Sequence, residues 1–321
     1  MKRRAALLTS LAMTAGVLAV ALAYVDLSAL RGDLASLKLP LVVLGFGVLG
    51  LNYLLRAWRF RLLLGLDRVQ AKGLFGIVCL YATLNYLMPA RLGEFSLPVL
   101  LKQVSGHQYS VGAASLIAAR ALDLFAVAAL FPLALLASHA ALPTWVVHAG
   151  VVFVVFSGAG VAGLLLYLRG HNPQPQQPHL SRDRLRQRLW AFMTRVTVAL
   201  SLMARQRSLI GSALLSLGIW LCIAFNFFLI LAAAELDVPF IAAFVVTVVM
   251  IPLSFVPAQG FANVGSHEAA WLTVLVAMGF APELAARATL LSHLILLAYV
   301  LLMGGIGWTL FMLQRSGAAD A

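Results

Sequence analysis

Two short stretches, YLMPARLGEF at residues 86–95 and FVPAQGFANVGSHEA at residues 255–269, interrupt otherwise apolar sequence, one in each half of the chain. In both, an apolar residue precedes Pro-Ala, Arg or Gln follows the Ala, and Gly and Glu come later. Proline removes a backbone donor and glycine relaxes a turn, so each stretch should break a helix. The repetition predicts two related interruptions in two related halves.

The remaining sequence is strongly apolar. Of its 321 residues 62% are hydrophobic and only 11% are charged, and the mean hydropathy is +0.97. A soluble domain of this length would need more polar residues to cover its surface. Barrel strands would be about ten residues long and alternating, whereas a helix needs about 20 apolar residues to cross a bilayer. The sequence therefore predicts an all-α polytopic membrane protein with six full spans, at residues 5–25, 39–55, 111–137, 144–168, 208–234 and 285–313.

The N-terminal apolar run has two interpretations. It resembles a signal peptide, since Ala-Leu-Ala at residues 21–23 fits a cleavage site. Its apolar length of about 20 residues exceeds the usual signal core of about 7–15, which favours an uncleaved first span.

The basic residues indicate orientation, because Lys and Arg collect in cytoplasmic loops. The basic N-terminus, the basic segment 169–207 and Arg315 belong on one side, which predicts cytoplasmic termini. Residues 73–101 then enter and leave by the cytoplasmic face, and residues 238–281 by the external face, so each should form a re-entrant hairpin. The loop predicted after the second span is also basic, with Arg56, Arg59, Arg61, Arg68 and Lys72. The net charge of +12 does not indicate nucleic acid binding, because no aromatic residues interleave with these clusters for bases to stack on.

The order of elements is the same in both halves: span, span, hairpin, span, with opposite orientation in the membrane. This is an inverted-topology repeat, in which the broken helices of many carriers meet near the midplane. We predict a single transmembrane domain over residues 1–321, with halves at about 1–137 and 144–313. The cytoplasmic basic linker at 169–207 is either an amphipathic surface helix or a solvated connection.

Ionisable side chains at membrane depth cost at least about 2.5 kcal/mol each to insert, so they are candidates for function. Arg120 and Asp123 are three residues apart on one helical face, where they either lock helices together or present the guanidinium to a phosphate. We predict a polar site between the hairpins. The residues expected to bind the substrate there are Arg91, Glu94, Arg120, Asp123, His267 and Glu268. The two motifs are expected to be shaped by Asn85, Pro89, Gly93, Pro257, Gly260, Asn263 and Gly265. Interhelical hydrogen bonds are expected from Asn52, Asn226 and His293.

No motif of a nucleophile, a metal site, a phosphate loop or a dinucleotide fold is present, so we expect neither an enzyme nor a cofactor. Cys79 and Cys222 lie in apolar runs and define neither a disulfide nor a metal site. Reversible charge pairing in a polar cavity suits moving a headgroup rather than breaking one. The first hypothesis is a lipid flippase or transporter. The alternatives are a non-transporting accessory subunit of a lipid- or glycan-modifying pathway and an intramembrane lipid-modifying enzyme.

Four segments carry a family resemblance: LLRAWRFRLLL (54–64), NYLMPARLGEF (85–95), RALD (120–123) and VPAQGFANVGSHEAAW (256–271). In this order they resemble the lysylphosphatidylglycerol synthase transmembrane-region family of flippase-like membrane proteins. The resemblance covers nearly the whole chain and implies an inner-membrane protein whose partners are membrane lipids: phospholipid, glycolipid or isoprenoid lipid. It also allows a lipid-biosynthesis enzyme as partner. Characterised relatives translocate aminoacylated phosphatidylglycerol, and others are associated with isoprenoid-linked or hopanoid lipid pathways.

The chain departs from the family pattern in two places. Many relatives have a basic residue soon after the Gly-Glu, whereas residues 95–101 are uncharged and include Pro98. The chain also lacks the aminoacyl-transferase domain of bifunctional relatives, so it is not expected to make lysyl lipid. These departures allow a lipid that differs from theirs.

Overall fold

The computed structural model describes residues 27–67, 73–137, 144–170, 184–253 and 260–319. In this part of the chain the secondary structure is helical, without strands. The α-helices are α1 Leu27–Ala35, α2 Leu39–Leu64, α3 Leu74–Leu87, α4 Ser96–Ser105, α5 Tyr109–Ala137, α6 Thr144–Gly170, α7 Arg184–Arg205, α8 Ser208–Ala233, α9 Phe240–Leu253, α10 Ser266–Ala277 and α11 Pro282–Ala319. Short 3-10 turns at Pro89–Phe95 and Phe261–Asn263 stand between α3 and α4 and between α9 and α10.

Five helices in the described ranges are long and apolar enough to cross a membrane. They cover Leu39–Leu64, Tyr109–Leu136, Gly150–Gly170, Ser208–Ala233 and Pro282–Arg315. These helices fall on five of the six predicted spans, and the all-α membrane fold is confirmed. The other predicted span, residues 5–25, lies outside the described residues.

Helix α2 continues to Leu64 instead of ending at residue 55. It stops at Gly65, whose left-handed backbone (φ 66°) allows its N–H to cap the last turn. The prediction that Arg56 and Arg59 lie in a loop was therefore wrong. It counted each arginine as a solvated charge, whereas the Arg59 side chain is buried inside the helix bundle.

Helices α2 and α8 pack against each other in antiparallel directions. At one end, the Lys38 N–H donates to the Ala233 carbonyl at 2.9 Å, joining the start of α2 to the end of α8. At the other end, the Ser208 hydroxyl donates to the Leu62 carbonyl at 3.3 Å, joining the start of α8 to the end of α2. The two helices therefore run side by side over their full lengths.

Two asparagines make reciprocal hydrogen bonds between α2 and α8. Asn52 Nδ2 donates to the Ile219 carbonyl at 2.8 Å, and Asn226 Nδ2 donates to the Gly45 carbonyl at 2.5 Å. Each accepting carbonyl lies seven residues before the asparagine of its own helix. Such an exchange of equivalent contacts is the mark of a two-fold relation. The expected interhelical hydrogen bonds of Asn52 and Asn226 are confirmed.

The other helix contacts repeat in the same way. Helix α3 packs on α2 as α9 packs on α8, and α4 packs on α5 as α10 packs on α11. Across the halves, α3 packs on α11 and α9 packs on α5. Because the equivalent helices α2 and α8 are antiparallel, the two halves run in opposite directions. The described helices thus have the arrangement of an inverted repeat, while the predicted bounds of its halves stay a prediction.

Helices α3 and α11 approach each other closely at glycines. A Cβ atom added to Gly307 would lie 2.6 Å from the Cys79 Cβ and 3.0 Å from the Leu80 nitrogen. A Cβ atom added to Gly305, two residues earlier, would meet nothing within 4 Å. Small residues at such positions let membrane helices pack backbone to backbone.

We expect Gly307→Ala to lower the free energy of unfolding by about 1–3 kcal/mol, because the added methyl group must push α3 away from α11. Gly305→Ala is the matched control, since it makes the same change in the same helix without a clash. The midpoint temperatures of thermal unfolding in detergent measure both effects. Equal midpoints for the two variants would contradict the close packing.

Candidate functional site

Both predicted hairpins contain a non-helical tip between two helices, and the two tips share an uncommon backbone conformation. In the first tip, Pro89–Phe95, Ala90 and Arg91 have φ angles of 49° and 57°. In the second tip, residues 260–265, Ala262 and Asn263 have φ angles of 53° and 65°. Non-glycine residues with positive φ are strained and tend to occur at functional sites. Two consecutive examples at both tips extend the inverted repeat to the backbone conformation.

The register of the repeat differs from the one that Pro-Ala indicated. In each tip a glycine comes two residues after the left-handed pair, at Gly93 and at Gly265. Arg91 is therefore equivalent to Asn263 and not to Gln259. Pro257 and Gln259 lie outside the described residues.

Charged side chains around the first tip pair with one another. Glu94 Oε1 accepts from Arg91 Nη1 at 3.0 Å and from Arg120 Nη2 at 2.5 Å. Arg120 Nη1 also reaches Asp123 Oδ2 at 3.3 Å, the pairing that their spacing predicted. Asp123 Oδ1 in turn accepts from Arg59 Nη1 at 2.6 Å. A series of alternating positive and negative side chains thus runs from α2 through α5 to the first tip.

The Arg59–Asp123 end of this series of charges is fully buried. The side chains of Arg59 and Asp123 are 2% and 3% exposed. Arg59 also donates to the Ser216 hydroxyl at 2.9 Å, and the Trp220 indole donates to Asp123 at 3.3 Å. Buried charges are tolerated only when paired and hydrogen-bonded, so these contacts hold α2, α5 and α8 together. Sequence reasoning missed Arg59, although it lies in the basic segment that carried the family resemblance.

The second tip is held by a different pair. Glu268 Oε1 contacts His293 Nδ1, and Glu268 Oε2 accepts from the Gly265 N–H at 2.6 Å. His293 Nε2 lies 2.9 Å from the Ala262 carbonyl oxygen. Glu268 therefore caps the start of α10 while His293 ties the tip to α11. The expected interhelical bonding of His293 is confirmed.

His267 is enclosed by other side chains. Its ring is fully buried and packs against Trp271 and Phe227, with centroid distances of 5.9 and 5.7 Å. Its Nε2 atom is 3.0 Å from the Ser292 hydroxyl. The structure thus places His267 in the packing between α8, α10 and α11.

A cavity of about 200 Å³ lies between the two halves. Equivalent positions of α2 and α8 line it in pairs, such as Asn52 with Asn226. Arg91 and Asn263, the equivalent residues of the two tips, line it as well. The cavity is therefore built by both halves of the repeat.

The predicted site residues separate into two groups. Of the six ionisable residues, only Arg91 is among those that line the cavity. The other five do not line it and make the contacts described above: Glu94, Arg120, Asp123, His267 and Glu268. Their role in binding a substrate stays a prediction. Of the motif residues, Asn85 and Asn263 line the cavity, Pro89 and Gly93 are buried in the first tip, and Gly260 and Gly265 belong to the second.

The cavity contains polar groups whose bonding capacity is unused. Arg56 lines it and donates from Nε to Asn52 Oδ1 at 2.8 Å, but makes no ion pair with the described residues. Three other groups of residues that line the cavity are buried and have no hydrogen-bond partner among the described residues: Asn85 Oδ1, the Tyr86 hydroxyl and Arg91 Nε. Buried polar atoms are normally bonded, so these atoms are available to water or to a polar ligand in the cavity. Within the described ranges, no three His, Cys, Asp or Glu side chains converge as a metal ion would require.

The fold and this cavity define a helical integral membrane protein built from two inverted halves around a polar centre. The chain belongs to the lysylphosphatidylglycerol synthase transmembrane-region family, whose model matches residues 7–304. The matched range includes both tips and the helices that line the cavity. The family is a membrane domain associated with lipid-related functions. No curated protein and no solved structure was found to match the chain.

Proposed function

We propose that this protein is a lipid flippase or transporter that moves a polar lipid headgroup through the cavity between its two halves. One observation carries the proposal: the cavity receives two guanidinium groups, from Arg56 and Arg91, and no carboxylate from the described residues that line it. Inverted-repeat transporters bind their substrates in this position, at the interface of the repeats.

The unused bonding capacity points to a phosphate-bearing headgroup. A guanidinium binds phosphate through paired hydrogen bonds, and Arg56 has no carboxylate partner in the described structure. Asn85 Oδ1 can only accept a hydrogen bond, so it would receive one from a hydroxyl or an amine of the same headgroup. The acyl chains would stay in the bilayer while the headgroup crosses through the cavity.

Further parts of the proposal follow from the sequence. We place the protein in the inner membrane with both termini in the cytoplasm, as the basic residues indicate. The sequence contains no nucleotide-binding motif, so movement would be facilitated or coupled to an ion gradient. A lipid-biosynthesis enzyme is a candidate partner.

We expect Arg56→Ala and Arg91→Ala each to slow lipid movement about tenfold or more, because a hydrogen bond to a charged group contributes about 1.5–3 kcal/mol. The measurement uses proteoliposomes with several fluorescent phospholipids and a membrane-impermeant quencher. Arg61→Ala is the matched control: Arg61 is on the same helix and bonds to the Leu66 carbonyl, outside the cavity. Wild-type rates in both cavity variants, for every lipid tested, would overturn the proposal.

A second candidate is a non-transporting accessory subunit of a lipid- or glycan-modifying pathway. The observation that favours it is that five of the six predicted ionisable residues do not line the cavity and instead make contacts inside the protein. Stable co-purification with a glycosyl- or acyltransferase, with no movement of any lipid by the wild-type protein, would support this candidate. Lipid movement that depends on Arg91 would exclude it.

A further inference from the structure

The two halves carry the same kind of contact with different chemistry. Its cationic side chains are at matching helix positions, whereas Glu94 lies one residue after Gly93 and Glu268 lies three residues after Gly265. Arg120 lies eleven residues after the first residue of α5, and His293 lies eleven residues after the first residue of α11. Arg120 contacts Glu94 in the first tip, and His293 contacts Glu268 just after the second tip. The inverted repeat therefore pairs a glutamate with a cationic side chain twice, once with arginine and once with histidine.

The difference between arginine and histidine decides whether the contact depends on pH. A guanidinium keeps its proton at every physiological pH, so the Arg120–Glu94 ion pair is permanent. An imidazole gains and loses a proton between about pH 5 and pH 8. The His293–Glu268 contact of the second half thus involves a side chain that can gain and lose a proton. The equivalent Arg120–Glu94 contact of the first half does not.

The hydrogen bonds of His293 require a proton at this site. Its Nδ1 atom faces the Glu268 carboxyl group and its Nε2 atom faces the Ala262 carbonyl, 2.9 Å away. A carbonyl only accepts, and an ionised carboxylate only accepts. Both contacts form only if the ring carries two protons or the carboxyl group carries one. When that proton leaves, a single N–H remains for two acceptors, and one contact must break.

Breaking either contact would release the wall of the cavity. The contact with Ala262 and the Glu268 bond to the Gly265 N–H hold the second tip, whose Asn263 lines the cavity. Tyr86, which also lines the cavity, has its ring centroid 6.1 Å from that of His293. A change at the pair is therefore transmitted to the cavity through groups in direct contact.

We propose that Glu268 and His293 form a proton-binding site that couples the gain and loss of a proton to the position of the second tip. The described titratable groups that face the pair are His267 on α10, at 4.9 Å between ring centroids with His293, and Tyr86 on α3. The coupling to lipid movement rests on the proposed function, whereas the proton-binding site itself does not. In this arrangement the first half stays fixed while the second half is released by deprotonation.

The proton-binding site can be tested without transport, by following the midpoint temperature of thermal unfolding in detergent from about pH 5 to about pH 8. In the wild-type protein the midpoint should fall as the pH rises, since the contact requires the proton and is lost with it. His293→Arg keeps a donor against Glu268 at every pH and should flatten this slope. His148→Arg is the matched control, because His148 is an exposed residue of α6, and it should keep the wild-type slope. If His293→Arg does not fold, Glu268→Gln serves instead, because it removes the carboxyl group and should also flatten the slope.

Lipid movement is then measured in vesicles with and without a pH gradient. The wild-type rate should change severalfold when the gradient is imposed, and the His293→Arg rate should not respond. Equal pH slopes of stability in the wild type and both pair variants would overturn the proton site, even if lipid moves. A flattened slope in the pair variants without lipid movement by the wild type would uphold the proton site and overturn the proposed function.

Discussion

Asp123→Asn is expected to lower the free energy of unfolding by about 3–5 kcal/mol, because it leaves a buried arginine without its counter-charge. Arg59 is 2% exposed, and its only ion pair with the described residues is with Asp123, at 2.6 Å. The same carboxylate also accepts from Arg120 and from the Trp220 indole. The midpoint temperature of thermal unfolding and the yield of monodisperse protein in detergent measure this loss.

The control for this substitution is an exposed pair of the same type. Lys38 and Glu235 are 2.7 Å apart, but their side chains are 54% and 60% exposed. Exposed ion pairs contribute little because water and salt screen them, so Glu235→Gln should leave the midpoint unchanged. The double variant Asp123→Asn with Arg59→Met should recover much of the loss, since it removes the unpaired charge as well. Equal midpoints for Asp123→Asn and the wild type would show that this ion pair does not hold the helices.

Gly93→Ala is expected to distort the first tip and abolish lipid movement. A Cβ atom at Gly93 would lie 2.3 Å from the backbone of Leu84 and of Asn85. Backbone atoms cannot rotate aside as a side chain can, so the tip must move away from α3. The cost in stability should reach or exceed the upper end of the range of about 1–3 kcal/mol for overpacked sites. Arg91 and Glu94 belong to the same tip, so the cavity changes with it.

Gly158→Ala is the matched control for Gly93→Ala. Gly158 lies in α6, and a Cβ atom there would meet nothing within 4 Å. Unfolding midpoints and lipid-movement rates of both variants test the prediction. A Gly93→Ala protein that moves lipid at the wild-type rate would show that the tip has no part in the function.

The membrane helices could be predicted from the sequence because their signal is local. Helix α8 is a continuous apolar run, and its predicted bounds, 208–234, differ from the observed Ser208–Ala233 by one residue. The end of α2 could not be predicted in this way. Arg56 and Arg59 resemble the basic residues of a loop until Asn52 and Asp123 are known to be their partners.

The candidate site was predicted in part. The motifs identified Arg91, Asn85 and Asn263, which line the cavity, because proline, glycine and polar residues in an apolar run are visible locally. The motifs did not show that Glu94 and Glu268 contact Arg120 and His293, residues on the following helices. Arg56 was missed because it stands next to apolar residues at the end of a span, where a basic residue is expected to face the cytoplasm.

The sequence alone determined that the protein is helical, that it belongs in a membrane, and that each half has one broken hairpin. These properties depend on the composition and length of continuous segments. Only the tertiary structure decided which charges are buried as locks, which face the cavity, and which glutamate is paired with a protonatable side chain. Those outcomes depend on contacts between distant residues, such as the two asparagine hydrogen bonds that span 167 and 181 positions of the chain. The free energy of a buried polar group is set by its partners in space, and neighbours along the chain do not reveal them.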